Sequence, residues 1–125
     1  MSEASAEDLL ALASEDLAVA RLVQAEGLSG VALGFHAQQA VEKALKAALA
    51  NRRVAYPHSH DLTRLFELCE AHGFEIPPEL DQTDRLTPYA AAGRYGAADL
   101  PKVDPADAIA WAEAALKWAE ATIAD

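Results

Sequence analysis

Cysteine occurs once in this chain of 125 residues, at Cys69, and aromatic side chains make up only 6% of it. A lone cysteine excludes an internal disulfide framework. At helical spacing from Leu62, Leu65 and Phe66 it reads as a small core residue, not a nucleophile. No apolar run approaches the roughly 20 residues of a membrane span, and the N-terminal Met1-Ser2-Glu3-Ala4 lacks the positive region of a secretory signal. A soluble, cytoplasmic protein with no membrane association is predicted. Basic residues are scarce as well: 10 Lys and Arg against 20 Asp and Glu leave a formal net charge of −10. Bulk non-specific nucleic-acid binding is therefore disfavoured, and contact with RNA would have to depend on a local cationic spot. The richest basic stretch, Asn51-Arg52-Arg53, closes a helical segment, where cations suit the negative end of the helix dipole, so capping is the reading of those arginines. Strand patterning is missing too, since no run alternates with period two over a strand's length.

What the chain does have is alanine, the main source of its 52% hydrophobic content, set in helical periodicity. Its length fits one domain, 1–125, large enough to bury a core without staples. A first helix is predicted from Glu7 to about Ala25, stopped at Gly27. A second begins near Ser29 and runs to about Asn51, and Pro57 then holds Tyr56 out of helical conformation. Ser59 reads as the N-cap of a third helix, Ser59 to Ala71. Pro77-Pro78 opens a fourth segment, reaching Tyr95, that Pro88 kinks or interrupts. Asp104-Pro105, a capping residue with proline at the first helical position, starts a closing helix. The fold class is all-α: an up-and-down antiparallel bundle of four main helices plus a short or kinked additional one.

The second helix carries a conflict that points to a site. Turning about 100° per residue, Val31, Phe35, Leu45 and Leu49 share one face, and Gln38 and Glu42 fall between them. A buried carboxylate is costly unless paired, so Glu42 should find a cationic or hydrogen-bonding partner from another helix, or line a groove open to water. Asp16 sits inside the first helix's stripe in the same way. The closing helix has two apolar sides, with Ile109, Ala112, Leu116 and Ile123 on one and Trp111 and Trp118 on nearly the opposite one. Either a neighbouring helix covers the tryptophans or they anchor a homodimer or partner interface.

Three motifs together carry a resemblance: Ala37-Gln-Gln-Ala-Val-Glu-Lys-Ala-Leu-Lys-Ala47, His58-Ser-His-Asp-Leu62 and Tyr89-Ala-Ala-Ala-Gly-Arg-Tyr95. Over nearly its whole length the chain resembles the HEPN family of small helical-bundle proteins. The resemblance implies a bundle that commonly dimerises and is found beside a minimal nucleotidyltransferase as a toxin and antitoxin pair. In some branches it implies nucleic-acid or nucleotide chemistry. Ribonuclease members carry an arginine, four to six residues, then a histidine, with two copies meeting at the dimer interface. Arg53 and His58 match that spacing but fall in the loop after the second helix, whereas Arg94-Tyr95, at the family-like position, has no histidine following it.

A metal-independent ribonuclease needs a base for the ribose 2′-OH and a cation or acid for the phosphate and leaving group, and Arg94 supplies only the latter. The spacings of His58, His60 and His72 do not make a zinc site, and no phosphate loop or nucleophile elbow is present. No metal and no cofactor is expected. The leading expectation is a non-catalytic interaction and regulatory module, a homodimer acting with a nucleotidyltransferase. Its inter-helix polar cluster or ligand groove would be formed by Asp16, Gln38, Glu42, His60, Arg94 and Tyr95. The alternatives are a metal-independent endoribonuclease toxin, with Arg53, His58 and Arg94 as candidate catalytic residues, and a bundle that binds a nucleotide in the same groove.

Overall fold

The computed structural model describes residues 4–94 and 100–124, and the side chains of all of these but 92–94. Four α-helices are present: α1 (Ala6–Ala25), α2 (Gly30–Asn51), α3 (Leu62–Ala71) and α4 (Pro105–Ala124). Two 3₁₀ segments, Pro78–Leu80 and Thr83–Arg94, lie between α3 and α4. No strand occurs among the described residues, and the all-α bundle expected from the periodicity is observed.

Helix starts follow the capping chemistry. Ser5 accepts from the Asp8 amide, Ser29 from Val31, and Asp104 from Ala106 and Asp107. The third helix begins later than predicted. Ser59 accepts from the Asp61 amide, and the Asp61 side chain, accepting from Thr63, is the true cap, so the chain is not helical until Leu62. Three helix ends use the same device: the second residue beyond the cap returns its amide to a carbonyl five residues back (Leu28 to Val23, Val54 to Leu49, Phe74 to Cys69), while the residue before it takes a left-handed conformation. Glycine fills that position after α1 and α3, but Arg53 holds it after α2, at φ 58°.

The fourth segment is also corrected. It is broken, as expected, but into two 3₁₀ pieces, and the non-helical residue inside the second is Ala91, past Pro88. Tertiary packing sets this shape. The Tyr89 ring lies flat against Gly34 of α2, where a Cβ would come within 2.3 Å of its Cδ1, and the phenol hydroxyl donates to the Pro101 carbonyl at 2.5 Å.

Helix α2 is the centre of the bundle and packs against α1, α3, α4 and the second 3₁₀ segment. Its Ala37, Ala40, Ala44, Ala47 and Ala48 are completely buried, so neighbouring helices approach on small side chains while Leu45 and Leu49 fill the interior. Cys69 is part of this core, as its spacing predicted, and burial pushes its thiol up to about 12. A thiol reagent applied to the native protein near pH 8 should leave Cys69 unmodified, with reaction appearing only in denaturant. Modification of the native chain at the rate of a free thiol would contradict the packing.

Candidate functional site

The conflict read in α2 resolves into a network around Glu42, which is buried on the side of the helix facing α3 and the loop before it. Three donors converge on its carboxylate. Gln38, one turn earlier, donates Nε2–H to Oε1 at 3.0 Å. Lys46, one turn later, donates to Oε2 at 2.9 Å, in the favourable order with the acid N-terminal to the base. His60, from the loop before α3, places Nδ1 2.8 Å from Oε1.

Gln38 also donates to the backbone carbonyl of His60 at 3.1 Å and accepts from Gln39, so this fully buried amide ties the loop to the helix. The Lys46 ammonium sits 5.5 Å from the centre of the Tyr56 ring. The cation on Glu42 therefore comes from its own helix, and its cross-link to another element is a loop histidine rather than a helical side chain.

Burial alone would push the Glu42 carboxyl up. The hydrogen bonds from Gln38, Lys46 and His60, together with the Lys46 charge, outweigh it and hold the group below its ordinary value. The sign of the linkage follows. A depressed folded-state carboxyl contributes stability that is fully present above its unfolded pKa, about 4.3, and is lost as pH falls through the folded value. Denaturation midpoints of wild type and Glu42→Gln should therefore differ most near neutrality and converge as the pH drops below about 4. A gap that does not change with pH would remove the charge from the account.

A second network repeats the pattern between α1 and α2. Asp16 is buried, with Lys43 at 2.6 Å on Oδ2 and His36 Nδ1 at 2.9 Å on Oδ1. His36, Lys43 and Lys46 were missed in the sequence. The signal was present, since a carboxylate inside an apolar stripe requires a cation, but the partners of Asp16 lie 20 and 27 residues away and no local spacing marks them.

The structure thus joins Gln38, Glu42 and His60, and places Asp16 in a separate network. The Arg94 side chain and Tyr95 lie outside the described residues. Arg53 and His58 are both exposed, and neither side chain makes a hydrogen bond or ion pair among the described residues. The tryptophans are half-buried and engaged by their own chain: Trp118 donates Nε1–H to the Glu75 carbonyl at 2.8 Å beside Phe74, and the Arg85 guanidinium lies 5.8 Å from the centre of the Trp111 ring. The loop before α3, the second 3₁₀ segment and Leu100 line an open hollow of about 400 Å³, with His60, Asp61 and Thr87 among its polar residues and Pro88 and Ala91 among its apolar ones. The His60 side chain is 65% exposed there, so a buried carboxylate orients an imidazole whose Nε2 has no partner among the described residues. A larger, open hollow of about 680 Å³, which takes in Arg53, is lined by the start of α1 and the end of α2 and shares no residue with the network.

An alanine-rich helical bundle with buried carboxylates cross-linked by histidine and lysine defines a small all-α module. The chain belongs to the HEPN domain family, whose model matches residues 6–122, as the three motifs implied. No curated protein and no solved structure matches the chain significantly.

Proposed function

We propose that this chain is a non-catalytic interaction and regulatory module of the HEPN family, dimeric and acting beside a minimal nucleotidyltransferase in a toxin–antitoxin type pair. The closure of its internal polar groups supports this reading. Glu42 spends both oxygens on Gln38, Lys46 and His60, and no buried side-chain polar atom among the described residues lacks a partner. Cleavage of a phosphodiester requires a base and a cation held on opposite sides of the phosphate. Arg53 and His58 are exposed, with no side-chain hydrogen bond or ion pair among the described residues to hold them, and the net charge of −10 opposes RNA. In the dimer, the half-exposed edges of Trp111 and Trp118 on α4 supply apolar contact area.

One observation favours a second reading, in which a small ligand such as a nucleotide binds: the oriented His60 imidazole at the hollow beside Thr87 and Pro88.

Purified protein is expected to leave single-stranded RNA intact and to co-purify with the nucleotidyltransferase encoded beside it. RNA cleavage abolished by His58→Ala, Arg94→Ala or His60→Ala would establish the ribonuclease reading instead. Failure to co-purify would remove the pairing.

A further inference from the structure

The core-facing residues of α1 are Leu9, Ala13, Asp16, Leu17, Ala20 and Val23. Beside that stripe the helix and its C-cap residue carry a second set, Leu12, Glu15, Val19, Leu22 and Glu26, at alternating spacings of three and four. That spacing is a heptad seam, the pattern one helix presents to another. It faces solvent. Leu12, Val19 and Leu22 are 42%, 37% and 60% exposed, and with Leu28, just past the helix, they are the exposed large hydrophobic residues among those described. Scattered surface leucines need no explanation, but a set confined to one helix and the turn that ends it does.

The charges on the seam select its occupant. Glu15 and Glu26 lie within it and Asp8 continues it by one step, and none of the three carboxylates has an ion-pair partner among the described residues. The cation in the adjoining groove, Lys43, is already held by Asp16. A second copy of α1 would bring the same acids. Packed antiparallel about Val19 it sets Leu12 against Glu26 and Glu15 beside Leu22, and packed parallel it sets Glu15 against Glu15. Both arrangements bury carboxylates without a cation, which is unfavourable.

We propose that this face of α1 docks an amphipathic helix of a partner protein whose apolar seam is interrupted or flanked by Lys or Arg opposite Glu15 and Glu26. The net charge of −10 would draw such a helix in, and the apolar seam would retain it. This deepens the interaction-module reading and rests on it for the existence of a partner.

The test uses the full chain and a fluorescein-labelled three-heptad helical peptide with leucine at its seam positions, except for lysines set to meet Glu15 and Glu26. A second peptide carries glutamate in place of those lysines. Fluorescence anisotropy should show binding of the lysine peptide and at least about tenfold weaker binding of the glutamate peptide. The charge-neutral variant Leu12→Ser/Leu22→Ser should weaken the lysine peptide by about tenfold or more, and Glu15→Gln/Glu26→Gln should reduce the difference between the two peptides. Glu67→Gln/Glu120→Gln, which removes acids from α3 and α4, should change neither. All these positions are exposed, so thermal melts of the variants should match wild type.

No binding of the lysine peptide overturns the proposal, as does equal binding by the Leu12→Ser/Leu22→Ser protein, which would mark bulk charge attraction. Wild-type self-association in sedimentation that Leu12→Ser/Leu22→Ser abolishes would assign the face to a second copy instead. Failure of nucleotidyltransferase co-purification with peptide binding intact removes that partner but not the face. Co-purification unaffected by Leu12→Ser/Leu22→Ser, with no peptide binding, removes the face but not the partner.

Discussion

Glu42→Ala is expected to destabilise the bundle by about 3 to 5 kcal/mol, because it leaves the Lys46 ammonium buried without its acceptor and takes one of the two acceptors of Gln38 Nε2. In a domain of this size the loss would lower Tm on the order of 10 to 20 °C. The Lys46 side chain is only 12% exposed, so water does little to replace the carboxylate. His60→Ala should cost under about 1 kcal/mol, since its ring is mostly in solvent and the charge it meets keeps two other donors. Replacing both members of the pair, Glu42→Leu/Lys46→Leu, should cost less than Glu42→Ala alone, because no charge is then left unpaired. Thermal or urea unfolding of these proteins, with the single variants Glu42→Leu and Lys46→Leu beside them, checks the order. A double variant as unstable as the sum of single Glu42 and Lys46 replacements would show that the two groups do not interact.

Gly34→Ala is the second large effect, and it runs against helix propensity. In an exposed helix the change would gain about 1 kcal/mol. Here the new methyl group would meet Cδ1, Cε1 and Cγ of Tyr89 at 2.3, 2.5 and 2.8 Å. The ring is buried and its hydroxyl is fixed to the Pro101 carbonyl, so it cannot swing aside without losing that bond and its packing. A net loss of about 1 to 3 kcal/mol is expected, and more for Gly34→Leu. In the background of Tyr89→Ala the same Gly34→Ala change should become neutral or stabilising. If it destabilises equally in both backgrounds, contact with Tyr89 is not the reason that α2 carries glycine there.

The fold was readable from sequence wherever it depended on neighbours along the chain. Ser29, Gly27 and Asp104-Pro105 mark helix ends through hydrogen bonds spanning only a few residues, and those ends fall where expected. The start of α3 was misplaced because Ser59 and Asp61 are equally competent caps, and only the route of the loop over Glu42 decides between them. The 3₁₀ course of 83–94 was hidden for a similar reason. Pro88 announces a departure from regular α-helix, but the position of the departure depends on how Tyr89 lies on a glycine more than fifty residues earlier.

At the site, Glu42 was visible as a misfit in an apolar stripe, and its partnership with Lys46 was within reach of the i, i+4 rule. The Asp16 network with His36 and Lys43 needed the α1–α2 pairing before it could be seen. The tryptophans, set on nearly the opposite side of α4 from Ile109 and Ala112 in the sequence reading, pack partly buried against the same core as those residues. What sequence could not show was that Phe74, Glu75 and Arg85, none of them on a long helix, lie over them.

The burial of α2 on nearly every side has a consequence for how the chain can be divided. A helix bundle with a shared central member has no seam along which it separates into two self-sufficient parts. Removing α2 exposes the apolar faces of α1 and α4 together, and cutting within it strands Glu42 from Lys46 or Gln38. Unfolding should consequently be a single transition involving every helix, with no half-folded form outlasting it. Breaks and insertions are best tolerated at the exposed turn around Gly27, where the chain passes from α1 to α2 without entering the interior.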